Sequence, residues 1–277
     1  IWSPDDKVKR WDRTRWMVDQ TLGFLRANAD KPCFVNLWLD DTHTPWVPTA
    51  EDQQVGKDGR GTGKGPTPER LARVLVEMDR QLGRLLDAFR DRKSDRPTVV
   101  LFLGDNGPLP TFKGQRAGGL RGSKLSLYEG GIRVPFLAWG PGVVPAEGVN
   151  ESTVLAAVDL FPALCTLCRA DPPKGYASDG EDLSTSLLGK SPRRTKPLFW
   201  EYGRNEKAFA YPAGRDRSPN VAVRDGDWKL LVNSDGTGAE LYDLKADPKE
   251  ATNRATENPE VARRLTASAL KWRKSLP

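Results

Sequence analysis

The stretch from Pro97 to Pro135 carries the densest set of side chains able to handle a metal ion or an anion. An apolar run, Thr98–Leu103, stops at Gly104-Asp105-Asn106-Gly107. A run this short and this rich in Val, Leu and Phe predicts a buried parallel strand. Polar residues that follow such a strand sit at the carboxyl edge of a sheet, where α/β proteins build their sites. Asp105 offers a carboxylate and Asn106 an amide oxygen, both hard donors suited to calcium or magnesium. The glycines on either side let the backbone turn tightly. A basic, glycine-rich loop follows, with Lys113, Arg116, Arg121, Lys124 and Arg133. Nothing hydrophobic holds residues 104 to 124 together, which leaves an anion or a metal to do so. Taken alone, Gly-Asp-Asn-Gly is more often an ordinary turn, so the weight rests on the wider pattern.

A second apolar run, Cys33–Leu39, reads as another buried strand. It leads into Asp40-Asp41-Thr42-His43-Thr44-Pro45-Trp46-Val47-Pro48. His43 is the only histidine in the chain. A lone histidine is as often structural as functional, but this one follows a strand and precedes two prolines that fix its loop. An imidazole held in that way can donate a proton or steady an anionic oxygen. Asp40 or Asp41 could orient it or cap a turn.

The ordered train Asp105-Asn106-Gly107, Leu120-Arg121-Gly122-Ser123-Lys124 and Tyr128-Glu129-Gly130-Gly131-Ile132-Arg133-Val134-Pro135 resembles the sulfatase family. The resemblance implies that Asp105 and Asn106 bind the active-site divalent cation, with calcium first and magnesium second. It implies that Lys124 and His43 contact the sulfate ester, His43 through a His-x-Pro segment, and that the four residues converge on one pocket. Asp40 and Asp41 do not match the family's paired metal aspartates. Two further phrases resemble the family's carboxyl-terminal subdomain: Val223-Arg-Asp-Gly-Asp-Trp-Lys-Leu and Leu241-Tyr-Asp-Leu-Lys-Ala-Asp-Pro-Lys-Glu. The family works with a formylglycine made from Cys or Ser in a Cys/Ser-x-Pro/Ala-x-Arg motif. No cysteine or serine of this chain begins one. The expectation is therefore a sulfatase whose first portion, with the formylglycine, is absent, so that the isolated chain is inactive. The missing amino-terminal segment, or self-association, would then be a partner. The resemblance also favours a periplasmic or secreted protein.

Composition sets the frame. The chain has 277 residues, 38% hydrophobic and 29% charged, with a formal net charge of +6. That suits a large-cored globular protein of one or two domains. No window holds eighteen continuous apolar residues, so no membrane span is predicted. The positive charge lacks an aromatic-basic ladder or zinc-finger spacing. It reads as attraction for anions, such as a sulfated small molecule or glycan, rather than for a specific nucleic acid. Three cysteines make no disulfide framework. Cys33 is expected to pack as a small hydrophobe, and the lone pair Cys165 and Cys168 as helix core.

The remaining elements position these residues. Apolar spacing predicts helices over Trp11–Ala27, from Thr67 to about Phe89, over Val154–Leu167 and over Pro259–Lys274, with a small helix at Leu183–Leu188. Thr67 and Pro68 form a helix start. The Thr67 helix should lie on the sheet and feed the Thr98 strand by a right-handed crossover. Glu51–Gly65 reads as a surface loop. After residue 197 the pattern changes to short strands at Phe199–Tyr202, Ala208–Tyr211, Asn220–Arg224, Trp228–Val232 and Glu240–Tyr242, with a tight turn at Asp225-Gly226. The fold expected is α/β, and the resemblance implies a partial alkaline-phosphatase-like mixed sheet flanked by helices over residues 1–197. A small antiparallel-sheet subdomain with a terminal helix follows over 198–277. The functional reading is a sulfate ester hydrolase. A related phosphodiesterase or phosphonate hydrolase, or an inactive protein that binds sulfated glycans or a protein, stands as the alternative.

Overall fold

The computed structural model describes residues 7–50, 66–91, 96–203 and 213–277. The expected Glu51–Gly65 loop and Ala208–Tyr211 strand lie outside the described residues. The chain divides into two compact units, Ile1–Thr98 and Val99–Pro277.

The first unit is built on two helices. Helix α1 (Arg13–Ala27) follows one 3-10 turn, and helix α2 (Pro68–Arg90) starts where Thr67 and Pro68 predict. The Thr67 hydroxyl accepts the Arg70 N–H at 3.3 Å, satisfying one of the donors that a helix start leaves bare. The helices pack through buried Val18, Val74 and Leu85, and Arg84 pairs with Asp19 across them at 2.7 Å. The strand expected at Cys33–Leu39 does not form. The segment joins no ladder among the described residues, Phe34 and Trp38 are 69% and 77% exposed, and Cys33 is exposed rather than packed. Apolar residues in a short run signal a surface that fits a sheet; they do not supply the neighbouring backbone a strand must pair with.

The second unit opens with β1 (Val100–Leu103). The chain passes a short helix α3 (Glu129–Ile132) and returns as β2 (Phe136–Trp139), which pairs antiparallel with β1. The parallel strand and crossover expected here are therefore corrected: all strand pairs among the described residues are antiparallel. No residue of β1 or β2 is buried, and the directly opposed Phe102 and Leu137 are exposed. Helices α4 (Leu160–Cys168) and α5 (Ser184–Leu187) follow. Cys165 is half-buried and Cys168 exposed, because α4 turns only Ala163 fully inward. Its sequence is apolar nearly all round, so spacing alone could not tell which face would be covered.

The chain then forms a four-stranded meander, β3 (Leu198–Glu201), β4 (Val221–Asp225), β5 (Trp228–Val232) and β6 (Glu240–Asp243). Gly226, at φ +61°, makes the tight β4–β5 turn that Asp-Gly predicts. Side chains alternate between the two faces of these strands. Val221, Val223, Leu230, Val232 and Leu241 pack with Leu265 and Ala269 of the terminal helix α6 (Pro259–Ser275). Ala222, Leu231 and Tyr242 face the other way, against Leu127 and Tyr128. Phe199 stacks on Trp272 at 5.1 Å, and Arg273 pairs with Glu201 at 2.8 Å. The meander is thus covered twice, by α6 on one side and by the loop before α3 on the other. That second contact positions the candidate site.

Candidate functional site

Three loops of the second unit are stitched together by backbone hydrogen bonds. Gly107 N–H donates to the Gly131 carbonyl at 2.8 Å, Gly130 N–H to Arg121 at 2.7 Å, and Lys124 N–H to Pro108 at 2.7 Å. The Asp105-Asn106 corner, the Arg121–Lys124 loop and the start of α3 therefore form one cluster. The approach is so close that side chains are excluded. A Cβ on Gly107 would collide with the Gly130 carbonyl oxygen, and one on Gly131 with the carbonyl oxygens of Ser126 and Ser123. Backbone packing therefore holds residues 104 to 124, where the sequence left an anion or a metal to do it.

Arg121 bolts this cluster to the meander. Its guanidinium lies 3.8 Å from the centre of the Tyr128 ring. It donates to the Tyr242 hydroxyl at 2.8 Å and to the Glu250 and Arg215 carbonyls. The Tyr128 and Tyr242 hydroxyls each donate to Glu240 Oε2 at 2.7 Å. Burial, then the Glu240 carboxylate, pushes both phenols well above their ordinary range, so both stay protonated donors. Arg121 is thus structural, although it sits in the basic loop that invites an anion-binding reading.

A second connection is ionic and fully buried. Lys229, on the β5 face toward the loops, places Nζ 2.9 Å from Glu129 Oε1 and 2.9 Å from Glu250 Oε1. The second distance is of ion-pair length without hydrogen-bond alignment. Glu250 Oε2 accepts the Glu129 N–H at 2.6 Å. Burial pushes Glu250 above the ordinary glutamate range, opposed by the Lys229 ammonium and the Glu129 N–H. All three residues fall within the phrases that resemble the sulfatase family, but sequence reasoning assigned none of them a role. The available signal was Lys229 itself, a lysine between Trp228 and Leu230 in a strand with no other charge.

Asp105 and Asn106 stand at the exposed rim of the cluster. The Asn106 N–H bonds to Asp105 Oδ1 at 2.9 Å, and the Asn106 side-chain NH2 donates to the Gly107 carbonyl at 2.8 Å. With its nitrogen so occupied, Asn106 is oriented to offer Oδ1, and Asp105 retains Oδ2. Both are hard oxygen donors that fit a divalent cation, though calcium takes six to eight such ligands. Among the described residues no group of three or more His, Cys, Asp or Glu is arranged around a metal position. Lys124 is half-buried, and its backbone bond to Pro108 brings it into the cluster with the Asp105 corner.

His43 belongs to the first unit, in an exposed turn. Nδ1 lies 2.6 Å from the Thr44 carbonyl oxygen, which can only accept, so Nδ1 carries the proton. In the neutral ring the lone pair is then on Nε2. Asp40 and Asp41 do not orient the imidazole. Asp40 pairs with Arg10 and, at 2.9 Å, with Arg13, while Asp41 accepts from the Thr14 hydroxyl. Arg10 also donates to the His43 carbonyl at 2.8 Å. These contacts anchor the turn to α1. Burial raises the Asp41 carboxyl above its ordinary range, with Thr14 and Arg10 opposing.

The α/β architecture and the loop train define an alkaline-phosphatase-like fold, and solved structures bear this out. A sulfatase structure, PsFucS1 from Pseudoalteromonas sp., superposes with a TM-score of 0.67 at 21% identity, over 99% of this chain and 54% of that one. The structure of Ps i-CgsB in complex with k-i-k-neocarrahexaose gives a TM-score of 0.73 at 23% identity, over 94% and 54%. The Sulfatase family model matches residues 1–169, and the model described as N-sulphoglucosamine sulphohydrolase, C-terminal, matches residues 123–274. The chain belongs to the sulfatase family. Relatives include N-acetylgalactosamine-6-O-sulfatase of Bacteroides thetaiotaomicron, 26% identical over 96% of this chain and 52% of its own length. Human arylsulfatase A is 32% identical over 87% of this chain and 49% of its own. The chain spans about half the length of the relatives it matches.

Proposed function

We propose that this chain is part of a hydrolase of sulfate esters, with residues 1–197 belonging to its catalytic domain and 198–277 forming the carboxyl-terminal subdomain. The observation that carries the reading is the loop cluster. Within the matched Sulfatase segment, the Asp105-Asn106 corner and Lys124 are stitched into one backbone unit. Asp105 Oδ2 and Asn106 Oδ1 would hold a divalent cation, both being hard oxygen donors, with calcium first by the family resemblance and magnesium second. When bound, that cation and the family's formylglycine would supply Lewis acidity and the nucleophile. Lys124 would bind the sulfate oxygens as a point charge, stabilising them as charge shifts during ester cleavage. His43 would serve the leaving oxygen as proton donor, which requires the protonated ring, or steady it by a hydrogen bond. A sulfated glycan is the favoured substrate class. A sulfatase of N-acetylgalactosamine-6-O-sulfate type and a neocarrahexaose-binding neighbour support it.

The test takes the complete protein that contains this chain, from an uninterrupted reading of its gene. It should carry a Cys/Ser-x-Pro/Ala-x-Arg motif and release inorganic sulfate from a sulfated oligosaccharide in a chelator-sensitive manner. Turnover of phosphodiesters with none of sulfate esters would move the reading to the phosphodiesterase alternative. Tight glycan binding without turnover would leave a binding protein.

A further inference from the structure

We infer that Lys229 is a positioning residue for the candidate site, acting from the carboxyl-terminal meander through a buried ion relay. The inference rests on the sulfatase reading for its functional consequence, but its geometry stands apart from it. Lys229 Nζ holds Glu129 Oε1 and Glu250 Oε1 at 2.9 Å each, and Glu250 Oε2 holds the Glu129 N–H at 2.6 Å. Glu129 is thereby fixed at both side chain and backbone. It is the first residue of α3, and the next two are the glycines that carry the loop cluster. Gly130 N–H binds Arg121 of the lysine loop, and the Gly131 carbonyl binds Gly107 of the metal corner. The path from Lys229 to Asp105-Asn106 and Lys124 thus runs through one ion pair and two backbone bonds.

Two further features single out this relay. All three ionic side chains are at most 4% exposed, so water cannot replace a lost partner. The glycine contacts leave no slack, since each would-be Cβ position is already filled by carbonyl oxygen. A shift of Glu129 therefore has to move the two loops with it. Removing the lysine leaves two carboxylates buried without their shared partner, an arrangement costly enough to force rearrangement. The meander itself keeps its apolar contacts with α6, because Lys229 faces away from that helix. Loss of the relay should loosen the loops more than the sheet.

Amide hydrogen exchange on the 277-residue chain tests this without any need for activity. In Lys229→Met, protection of the Gly107, Lys124 and Gly130 amides is expected to fall about a hundredfold. Amides of the β3–β4 pairing and of α6 should stay near wild type. A milder variant, Glu129→Gln, keeps the volume and one acceptor and leaves Lys229 paired with Glu250. It should fold even if Lys229→Met does not, with about tenfold faster exchange at the same three amides. Equal loss across loops, meander and α6 in Glu129→Gln would overturn the inference, as would unchanged exchange at the three amides. The same variant in the complete protein should lower kcat for a sulfate ester more than it changes KM. If the complete wild-type protein cleaves no sulfate ester, the sulfatase reading fails while the exchange result stands. If it is active and Glu129→Gln leaves kcat unaltered, the positioning role fails alone.

Discussion

Glycine-to-alanine substitutions offer a test in which the local geometry fixes the sign. At Gly131, on α3, the added methyl meets the carbonyl oxygens of Ser126 and Ser123. Both are main-chain atoms held by a loop already bonded on itself, with Ser126 N–H donating to the Ser123 carbonyl at 2.9 Å. No side chain can swing aside, so the backbone must move. Overpacking of this kind costs about 1–3 kcal/mol. The helix preference for alanine returns at most about 1 kcal/mol, and α3 is a single turn. With little of that preference recovered in a single turn, the expected net effect of Gly131→Ala is a loss of roughly 1–3 kcal/mol. Gly23 in α1 and Gly83 in α2 sit mid-helix with nothing within 4 Å of a would-be Cβ. There the same substitution should gain roughly 0.5–1 kcal/mol, by reducing the freedom of the unfolded chain. Urea unfolding followed by far-ultraviolet circular dichroism measures both, with the slope m checked for constancy. Gly131→Ala with wild-type or higher stability would refute the close-packing account, and a clear loss at Gly83→Ala would refute the reading of α2 as an open helical face.

Truncating Leu230, at the centre of the meander against α6, should cost about 2–5 kcal/mol in Leu230→Ala by urea titration, since a fully buried leucine leaves a cavity. Asp41 carries a raised carboxyl pKa, so its contribution to stability is full below its unfolded value and is lost as pH rises through the raised folded value. Asp41→Asn should therefore raise the urea midpoint at pH 7 relative to wild type, with the gain shrinking as pH falls toward the ordinary carboxylate range; a lower midpoint at pH 7 would count against it. In the complete protein, Lys124→Ala should reduce kcat for a sulfate ester by about a hundred- to a thousandfold, the usual penalty for losing one stabilising group at a developing charge. A kcat within threefold of wild type, by about the resolution of such comparisons, would remove Lys124 from the proposed site.

How much of this was legible beforehand depends on whether the determining contact was local. The Thr67 cap and Pro68 act within one helical turn, and α2 begins where they predict. The Asp225-Gly226 turn is equally local, and β4 and β5 flank it as an antiparallel pair. The Cys33–Leu39 run failed because a strand is a relation between two chain segments, and composition reports only one of them. The direction of β1 failed for a related reason: a buried parallel strand and a strand in an apolar antiparallel pair carry the same short run of Val, Leu and Phe. The site divides in the same way. Asp105, Asn106, Lys124 and His43 could be named as candidates because their residue types suit metal and anion chemistry and their phrases resemble those of sulfatases. What holds the Asp105 corner and Lys124 could not be, because Glu129 lies 100 residues from Lys229 and 121 from Glu250 in sequence, and the three meet only after the meander forms. A single buried lysine in an apolar strand is the trace that such a meeting leaves. A lone charge at a sheet position flanked by core residues must find its counter-charge elsewhere in the chain, or the fold would bear its burial unpaired.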